Sequence, residues 1–296
     1  MGIVDVVVVS FNNARELRGC VEPLASLAWV DVVVVDNASS DGSLATVADL
    51  DLASVASPVN VGFASGCNLG WRTGESPYVL FLNPDARIDE GSLRRLVDVL
   101  EVRPRAAVAA PRILGEDGVV HHSLRRFPRL RSTYAQAVFL DRIAPAAGWA
   151  DEVIRDTRAY ESPGPQQWVS GACLLVRREL LERLDGWDGG FFLYCEDIDL
   201  CRRVHDLGFE VYFEPRAFAV HEGGTSAPRT ETLPLLAASR VRYASLHRSR
   251  PGALAERAGI ALEAATHMLL GSGGGSARAG HARSLRVSLA RRMAVR

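Results

Sequence analysis

The sequence predicts an α/β fold with a mainly parallel central sheet flanked by helices, and a helical appendage at the C-terminus. Buried-strand runs alternate with helical segments through the first hundred residues, which is the order of crossover units in a parallel sheet. The composition then changes near residue 235, and residues 240–296 carry eleven arginines against two glutamates. We therefore divide the chain into a sheet domain at 1–234 and a helical, arginine-rich extension at 235–296.

The first hundred residues supply four predicted strands, each followed by a helix. The two valine-rich runs are typical of buried strands, because β-branched side chains pack well on a pleated surface. The predicted order is strand 4–11, helix 14–28, strand 30–37, helix 43–50, strand 53–57, helix 64–74, strand 78–83 and helix 90–102.

The second half of the domain is less regular. Residues 104–165 are rich in proline and arginine, and their pattern assigns no element. From residue 168, WVSGACLLV predicts a strand, and 177–184 predicts a helix. A further helix is expected from Asp197 to about Gly208, and FEVYFEPRAFAVHEGG supplies one or two strands.

Length and charge limit the classes of function. A chain of 296 residues with 48% hydrophobic content can bury a full core. Its formal net charge of −1 argues against a dedicated nucleic-acid binder, which usually shows a basic excess. No window reaches the roughly 18 to 20 apolar residues of a membrane span, and no secretory signal opens the chain. We expect a cytoplasmic protein, either soluble or peripheral on the inner face of the cell membrane.

Two common kinds of site are not indicated. The five cysteines, at positions 20, 67, 173, 195 and 201, lack the paired short spacing of a zinc or redox site. We therefore expect reduced, scattered thiols. The segment NVGFASGCNLGW has three glycines but lacks the GxGxxG pattern of a dinucleotide-binding turn.

Polar side chains follow the predicted strands where each strand ends. Ser10 and Asn12 follow the first strand, Asp36 the second, and Asn83 and Asp85 the fourth. Ligands of parallel α/β sheets bind in the crevice at the carboxyl ends of the strands. A hard cation often takes one or two carboxylates together with substrate phosphates. An isolated Asn-Pro-Asp is also an ordinary turn, so this segment alone leaves both interpretations open.

Three acids, Glu196, Asp197 and Asp199, lie within four positions at the start of a predicted helix. At about 100° per residue, Asp197 falls in the apolar arc formed by positions 200, 201, 204 and 207. Glu196 lies at the edge of that arc, and Asp199 lies on the far side in a surface charge pattern. Asp197 is then either a helix cap or a functional acid. At a helix N-terminus we expect its pKa to be low, so that it is ionised and available as a base.

Seven segments, taken in order, resemble one known family. The chain resembles the inverting family 2 glycosyltransferases of the GT-A fold, in particular the bacterial rhamnosyltransferase-like branch. The resemblance extends from residue 3 to about 226. The segments that carry it are VVVVSFNN, VVVVDNASSDGS, NVGFASGCNLG, LFLNPDARI, WVSGACLLVRRE, GWDGGFFLYCEDIDLCRRV and FEPRAFAVHEGG.

The resemblance implies a nucleotide-sugar site at the strand ends. Asp36 would hold the pyrimidine or ribose, with Ser10 and Asn12 nearby. Asn60 and Asn68, in the NVGFASGCNLG segment, are assigned to the same donor site.

The resemblance also implies a divalent cation, Mg²⁺ or Mn²⁺. Asn83 and Asp85 occupy the family's Asp-x-Asp position and are both assigned to the donor site. Because Asn replaces the first Asp, one charge of the metal site is missing. Asp85 is then the expected carboxylate ligand, with His221 as the second protein ligand.

Asp197 matches the family's catalytic base, so the resemblance and the helical-wheel argument select the same acid by independent routes. Trp168, Gly171 and Glu196 are expected to shape the acceptor pocket. The acceptor hydroxyl would attack the anomeric carbon as the nucleoside diphosphate leaves from the opposite face, with inversion.

The donor implied by this branch is dTDP-L-rhamnose, and the acceptor a glycan or polyprenyl-diphosphate-linked sugar in cell-envelope polysaccharide synthesis. One alternative is a UDP-sugar-dependent transferase of the same fold, moving galactose, glucose or N-acetylglucosamine. Another is a catalytically silent nucleotide-sugar-binding scaffold, against which the intact Asp85, Asp197 and His221 argue. The basic segment 121–131 either meets the acceptor's diphosphate or forms an exposed loop.

The C-terminal extension has two interpretations. Residues 251–271 have an amphipathic pattern, and residues 277–296 are basic with spaced apolar side chains. Such helices lie in the interface of anionic membranes, which would give a peripheral membrane contact. Alternatively, they cover the catalytic domain or form a homo-oligomer contact.

Overall fold

A nine-stranded sheet forms the centre of the molecule. The structure is a computed structural model, and it describes residues 2–143, 147–223, 227–271 and 274–290. In chain order the strands are β1 (Val4–Ser10), β2 (Val30–Asp36), β3 (Ala53–Ala56), β4 (Tyr78–Leu82), β5 (Ala86–Ile88), β6 (Ala106–Leu114), β7 (Leu124–Arg125), β8 (Gly164–Gln166), β9 (Trp168–Val169), β10 (Cys173–Arg177) and β11 (Glu210–His221).

The sheet is parallel on one side and mixed on the other. Its order is β3-β2-β1-β4-β10-β6-β11-β5, with β8 also paired to β11, while β7 and β9 form a separate two-stranded sheet. Strands β1 to β4 run parallel, so their carboxyl ends meet at one edge. Strand β10 is antiparallel to both β4 and β6. Because β10 lies between β4 and β6, the loop before β10 is beside the carboxyl end of β4.

Helices cover both faces of the sheet. Alternate valines of β1 and β2 point to opposite faces, and each set is buried in its own apolar cluster. The helices are α1 (Leu17–Ala25), α2 (Phe63–Trp71), α3 (Glu90–Val102), α4 (Leu130–Ala137), α5 (Leu140–Ile143), α6 (Arg178–Leu184), α7 (Glu196–Asp206), α8 (Arg229–His247), α9 (Arg250–Leu270) and α10 (Gly275–Leu289), with 3₁₀ turns at Ser43–Val47 and Thr157–Tyr160.

The predicted α/β class with a mainly parallel sheet and C-terminal helices is confirmed. Some elements differ from the sequence predictions. The helix expected at 43–50 is a 3₁₀ turn, and the strand expected from Trp168 is two strands separated by a turn at Ser170–Ala172. The unassigned segment 104–165 contains β6, a strand inside the sheet. Its alanines and Pro111 give it no clear strand signal.

The C-terminal helices pack on each other and on the sheet domain. α8 contacts α9 and α10, and α4 of the sheet domain packs along α9. Two side chains of α8 hold the loop before α7: Ser239 donates to the Leu193 carbonyl at 2.7 Å, and Arg242 pairs with Asp188 at 2.7 Å. The division at 234/235 remains a prediction, and α8 runs across that position. None of the described helices is long and apolar enough to cross a membrane.

Candidate functional site

Two polar side chains with open hydrogen-bonding capacity lie side by side where β1 and β2 end. Ser10 and Asp36 are paired residues in the parallel register of these strands. The Asp36 carboxylate accepts one bond, from the Ser39 backbone at 3.2 Å. Within the residues that the structure describes, the Ser10 hydroxyl and the Asp36 Oδ1 are buried without a hydrogen-bond partner. Buried polar atoms are nearly always paired, so these two fit a ligand that supplies the missing partners.

A polar turn beside Asp36 positions Asn12. Asn12 has a φ of 58°, in the left-handed region that Asn adopts more readily than most residues. Its Oδ1 accepts from the Ser40 backbone at 2.8 Å, and its own N–H donates to the Ser39 hydroxyl at 3.0 Å. Asn12 thereby links the end of β1 to the turn after β2.

The two asparagines predicted in the NVGFASGCNLG segment make internal hydrogen bonds. Asn60 Oδ1 accepts from the Asn37 amide and the Gly62 backbone, both at 2.9 Å. Asn68 donates to the Trp187 carbonyl and accepts from the Trp71 indole and the Trp187 backbone. Asn68 therefore fastens α2 to the loop before α7.

The structure brings Asn83, Asp85 and His221 together at the end of β4. His221 Nε2 lies 3.1 Å from Asp85 Oδ1 and 3.3 Å from the Asn83 amide nitrogen. Burial alone would raise the pKa of Asp85, but the hydrogen bond and charge of His221 outweigh it and hold this pKa below its ordinary value. An open cleft of about 220 Å³ beside Asp85 is lined by residues that include Arg15, Arg87 and Glu222.

This group fits a divalent cation. An unprotonated His221 Nε2 would direct its one lone pair at the lone pairs of Asp85 Oδ1 across 3.1 Å, which requires a proton or a cation between the two atoms. Two ligands of an ion with bonds of about 2.1 Å stand about 3 Å apart. Among the described residues, no group of three or more His, Cys, Asp or Glu side chains is arranged so that it could hold a metal ion. The protein would therefore supply two ligands, and phosphate oxygens and water would supply the rest.

The backbone enters α7 through a strained turn. Tyr194 and Cys195 have φ values of 71° and 64°, a left-handed conformation that costs non-glycine residues free energy. Upstream, Gly62 at φ 83° packs so closely on Phe192 that a Cβ would lie 2.4 Å from its carbonyl oxygen. These contacts fix where the first residues of α7 point.

The Asp197 carboxylate is held by two backbone groups. Its Oδ2 accepts from the Gly171 N–H at 3.1 Å, and its Oδ1 accepts from the Ile198 N–H at 2.8 Å. A Cβ at position 171 would lie 3.2 Å from the Asp197 Cβ, so a larger residue there would push Asp197 away by a few tenths of an ångström. The neighbouring Ala172 carbonyl accepts from the Asn83 N–H at 2.9 Å. One short loop therefore connects Asp197 to the strand end that carries Asp85.

The expected low pKa of Asp197 is wrong. Burial raises its pKa, and the bonds from Gly171 and Ile198 and the charge of Arg125 only partly offset this effect. Burial and the charge of Asp197 raise the pKa of Glu196 to about 8. Within the described chain, Glu196 Oε2 has no hydrogen-bond partner. At neutral pH Glu196 therefore holds a proton, and the nearby charge that raises its pKa is that of Asp197.

The predicted surface position of Asp199 is also wrong. Asp199 is 1% exposed, and its two oxygens pair with Arg203 and His247, each at 2.7 Å. His247 lies at the end of α8, so a C-terminal helix covers the face of α7 that the helical wheel left to solvent. Conversely, Leu207 of the predicted inward arc is 39% exposed.

The acceptor side of the site adds residues that the sequence analysis did not single out. Trp168 is buried, and its indole donates to the Arg126 carbonyl at 2.9 Å. The Arg125 guanidinium lies 5.4 Å from the Trp168 ring centre, and its charge acts on Asp197. The basic composition of residues 121–131 was the sequence feature that could have indicated Arg125. Near the cation group, the His121 ring is 6.3 Å from that of His221.

Comparisons with known proteins find glycosyltransferases among the relatives of this chain. The sequence profile described as glycosyl transferase family 2 matches residues 5–185. An N-acetylglucosaminyl-diphospho-decaprenol L-rhamnosyltransferase of Mycobacterium tuberculosis (strain ATCC 25618 / H37Rv) is 30% identical over 257 residues, 81% of this chain and 83% of the relative. Rhamnosyltransferase WbbL of Escherichia coli (strain K12) is 28% identical over 155 residues, 51% of this chain and 54% of the relative.

Two solved structures share the fold. One is a mannosyltransferase from Pyrobaculum calidifontis, PcManGT, in complex with GDP-Man and Mn²⁺. Its TM-score is 0.56 at 18% identity, and the match covers 98% of this chain and 81% of the mannosyltransferase chain. GalNAc-T7 with UDP, GalNAc and Mn²⁺ has a TM-score of 0.58 at 14% identity and covers 83% of this chain and 50% of its own. The expected GT-A fold is thereby confirmed.

Proposed function

This chain belongs to glycosyl transferase family 2 and is a glycosyltransferase, and we propose that it transfers L-rhamnose from dTDP-L-rhamnose to a polyprenyl-diphosphate-linked sugar, with inversion. The mycobacterial relative, named for an N-acetylglucosaminyl-diphospho-decaprenol acceptor, supports this choice. One structural observation carries the proposal. The bond from Asn83 to Ala172 joins the strand end that carries Asp85 to the loop whose Gly171 holds Asp197.

The donor would lie along the carboxyl ends of β1, β2 and β4. The open acceptors on Ser10 and Asp36 suit the hydroxyl and N–H groups of a nucleoside, and the Asn12 turn closes one side. The diphosphate would then face Asp85 and His221, with Asn83 beside them. Asn60 and Asn68 would contribute by holding the loop and helix that border this crevice.

Asp85 and His221 would hold a divalent ion, Mg²⁺ or Mn²⁺, which when bound neutralises charge that develops on the departing diphosphate. The two Mn²⁺ complexes among the similar folds support such an ion. Because Asn83 contributes no charge, Asp85 is the only carboxylate of the Asn-Pro-Asp segment.

Asp197 would accept the proton of the attacking hydroxyl. Its oxygens are fixed by Gly171 and Ile198, so a lone pair remains directed at the acceptor without loss of orientation. Glu196, protonated at neutral pH, adds no second negative charge near the leaving diphosphate. Trp168 supports the acceptor pocket, and Arg125 suits the diphosphate of a lipid-linked acceptor.

Thermal stabilisation of the purified chain by a panel of donors tests the proposed donor. We expect dTDP-L-rhamnose with Mn²⁺ or Mg²⁺ to raise the Tm more than UDP-galactose, UDP-glucose, UDP-N-acetylglucosamine or GDP-mannose. At a hundred times its Kd a ligand adds about 2.7 kcal/mol of stability, which corresponds to several degrees.

The same panel without metal and with EDTA is the control. A larger shift with a UDP-sugar would keep the glycosyltransferase and overturn the rhamnosyl donor. No shift with any nucleotide-sugar would favour a silent scaffold.

A further inference from the structure

Helix α9 has its acidic side chains turned toward the protein. Glu256 is buried at 2% exposure, bonds to Thr133 and pairs with Arg248 at 3.0 Å. Glu263 pairs with Arg240 of α8 at 2.5 Å. These two glutamates are the only acidic residues in the sequence of α9, and both pair with arginines of the protein.

The opposite face of α9 is apolar and faces solvent. Leu254, Ala258, Leu262, Ala265 and Leu269 follow one another at spacings of three and four residues, which places them on one line along the helix. Leu254 is 66% exposed, Leu262 39% and Leu269 70%. We call this line the apolar stripe. An ordinary surface helix presents polar side chains to solvent, whereas α9 presents leucines there and buries Glu256 beside Ile260 and Ala264.

The apolar stripe borders α4, the helix that packs along α9. Tyr134 of α4 donates its hydroxyl to the Ala255 carbonyl of α9 at 2.9 Å, so the two helices present adjacent surfaces. Beyond α4, Phe139 stacks on His267 with 4.2 Å between ring centres. Further large apolar side chains are exposed after α4 and at the end of α9, namely Val138, Leu140, Ile143 and Leu270.

Arginines surround this surface. Arg250 and Arg131 are exposed near the first turn of α9, and Arg142 is exposed at the other end, over the Phe139 ring. Between residues 229 and 290 the sequence has nine arginines, three glutamates and no aspartate. Two of those glutamates are the inward-facing Glu256 and Glu263. The exposed surface is therefore both apolar and positively charged.

We propose that the apolar stripe and its flanking arginines dock on an anionic phospholipid bilayer. The stripe would enter the interface while arginines contact lipid phosphates, as in helices that lie in the plane of a membrane. A second copy of this chain suits the surface less well, because the same face would bring arginines against arginines. The two interpretations of residues 251–271 then combine in α9: one face of this helix packs on α4 of the sheet domain, and the proposal gives the opposite face to the membrane.

This docking surface leads to the acceptor side of the site, and this step rests on the proposed lipid-linked acceptor. Arg248, at the α8–α9 junction, donates to the Pro128 carbonyl at 2.8 Å. Pro128 lies three residues after Arg125, whose charge acts on Asp197. Since this contact joins the start of α9 to the segment that carries Arg125, a bilayer against α9 would hold its phosphates near the residues proposed to meet a polyprenyl-diphosphate acceptor.

Vesicle co-sedimentation of the full chain, without substrate, tests the docking surface. We expect the wild type to bind vesicles of phosphatidylglycerol and phosphatidylcholine, and to bind less to phosphatidylcholine alone or at high salt. The double variant Leu262→Glu/Leu269→Glu should bind anionic vesicles at least about ten-fold more weakly, since two leucines are lost from the interface. Both side chains are exposed, so the fold should be preserved.

The matched control is Leu207→Glu/Val102→Glu, whose residues are 39% and 73% exposed on other surfaces. It should bind within about two-fold of the wild type. Equal binding by the Leu262→Glu/Leu269→Glu variant, or a wild type that ignores anionic vesicles, would overturn the proposal. So would a wild-type dimer in lipid-free solution that this variant splits, since a second copy would then occupy the stripe.

The donor-induced Tm shift of the stripe variant separates this proposal from the proposed function. A variant that loses vesicle binding but keeps the dTDP-L-rhamnose shift supports both. Vesicle binding without a Tm shift from any nucleotide-sugar would support the membrane-docking surface and contradict the proposed reaction.

Discussion

Asp197→Asn is expected to lower kcat by about 10³-fold, since general-base assistance contributes about 10² to 10⁴ in rate. The amide has nearly the same shape and can keep one of the bonds to Gly171 and Ile198, but it cannot take a proton from the acceptor. Donor binding should be unchanged, because the site proposed for the nucleotide lies at the ends of β1 and β2. Steady-state transfer rates and the donor-induced Tm shift measure the two effects separately.

Glu196→Gln is the matched control, one residue away and equally isosteric. Because Glu196 is protonated at neutral pH, its amide should cost less than about ten-fold in kcat at pH 7. If Glu196→Gln loses more activity than Asp197→Asn, the base is Glu196 and the assignment of Asp197 fails.

The Tm difference between Glu196→Gln and the wild type should change with pH in a defined direction. The folded chain holds a proton on Glu196 up to a pKa of about 8, against an ordinary value of 4.5. The stability that this proton gives is complete below about pH 4.5 and is lost as pH rises through about 8. Glutamine does not ionise, so the Tm of Glu196→Gln should gain on the wild type by about 2 °C or more between pH 6 and pH 8.5.

Asp85→Asn is expected to lower kcat/KM by about 10²-fold or more, because a bound cation contributes several kcal/mol of charge stabilisation in such reactions. The change leaves Asn-Pro-Asn at the end of β4 and removes the carboxylate that faces His221. The extra donor stabilisation produced by Mn²⁺ should disappear in this variant. Donor titrations with Mn²⁺ and with EDTA provide a readout that does not depend on turnover.

Asp98→Asn, on the exposed side of α3, removes one negative charge elsewhere and should behave as the wild type. A metal-dependent donor shift that survives in Asp85→Asn would show that the cation is held by other groups. It would also remove Asp85 and His221 from the proposed mechanism.

Much of the fold could be predicted, because a run of valines indicates a buried strand without information from the rest of the chain. The runs that became β1 and β2 are buried on both faces, and the sequence places their polar ends correctly. Strand β6 was not predictable by the same signal, since its middle is alanine and proline rather than β-branched residues. The turn at Gly171 was missed because its cause is distant, namely the approach of Asp197.

The candidate site was predictable as a set of strand-end residues but not in its electrostatics. The helical wheel of α7 assumed one inward and one solvent face. His247, far along the chain, covers the second face and buries Asp199. The pKa values of Glu196 and Asp197 depend on that burial and on their mutual charge, which a helix-terminus argument does not contain.

The most direct test of the proposed function is transfer to a short-chain prenyl-diphosphate N-acetylglucosamine, with each nucleotide-sugar offered in turn and the product analysed by mass and anomeric configuration. We expect a single rhamnosylated product from dTDP-L-rhamnose, formed with Mn²⁺ or Mg²⁺ and with the anomeric configuration inverted. A product formed only from a UDP-sugar, or one that retains the donor's configuration, would contradict the proposed function.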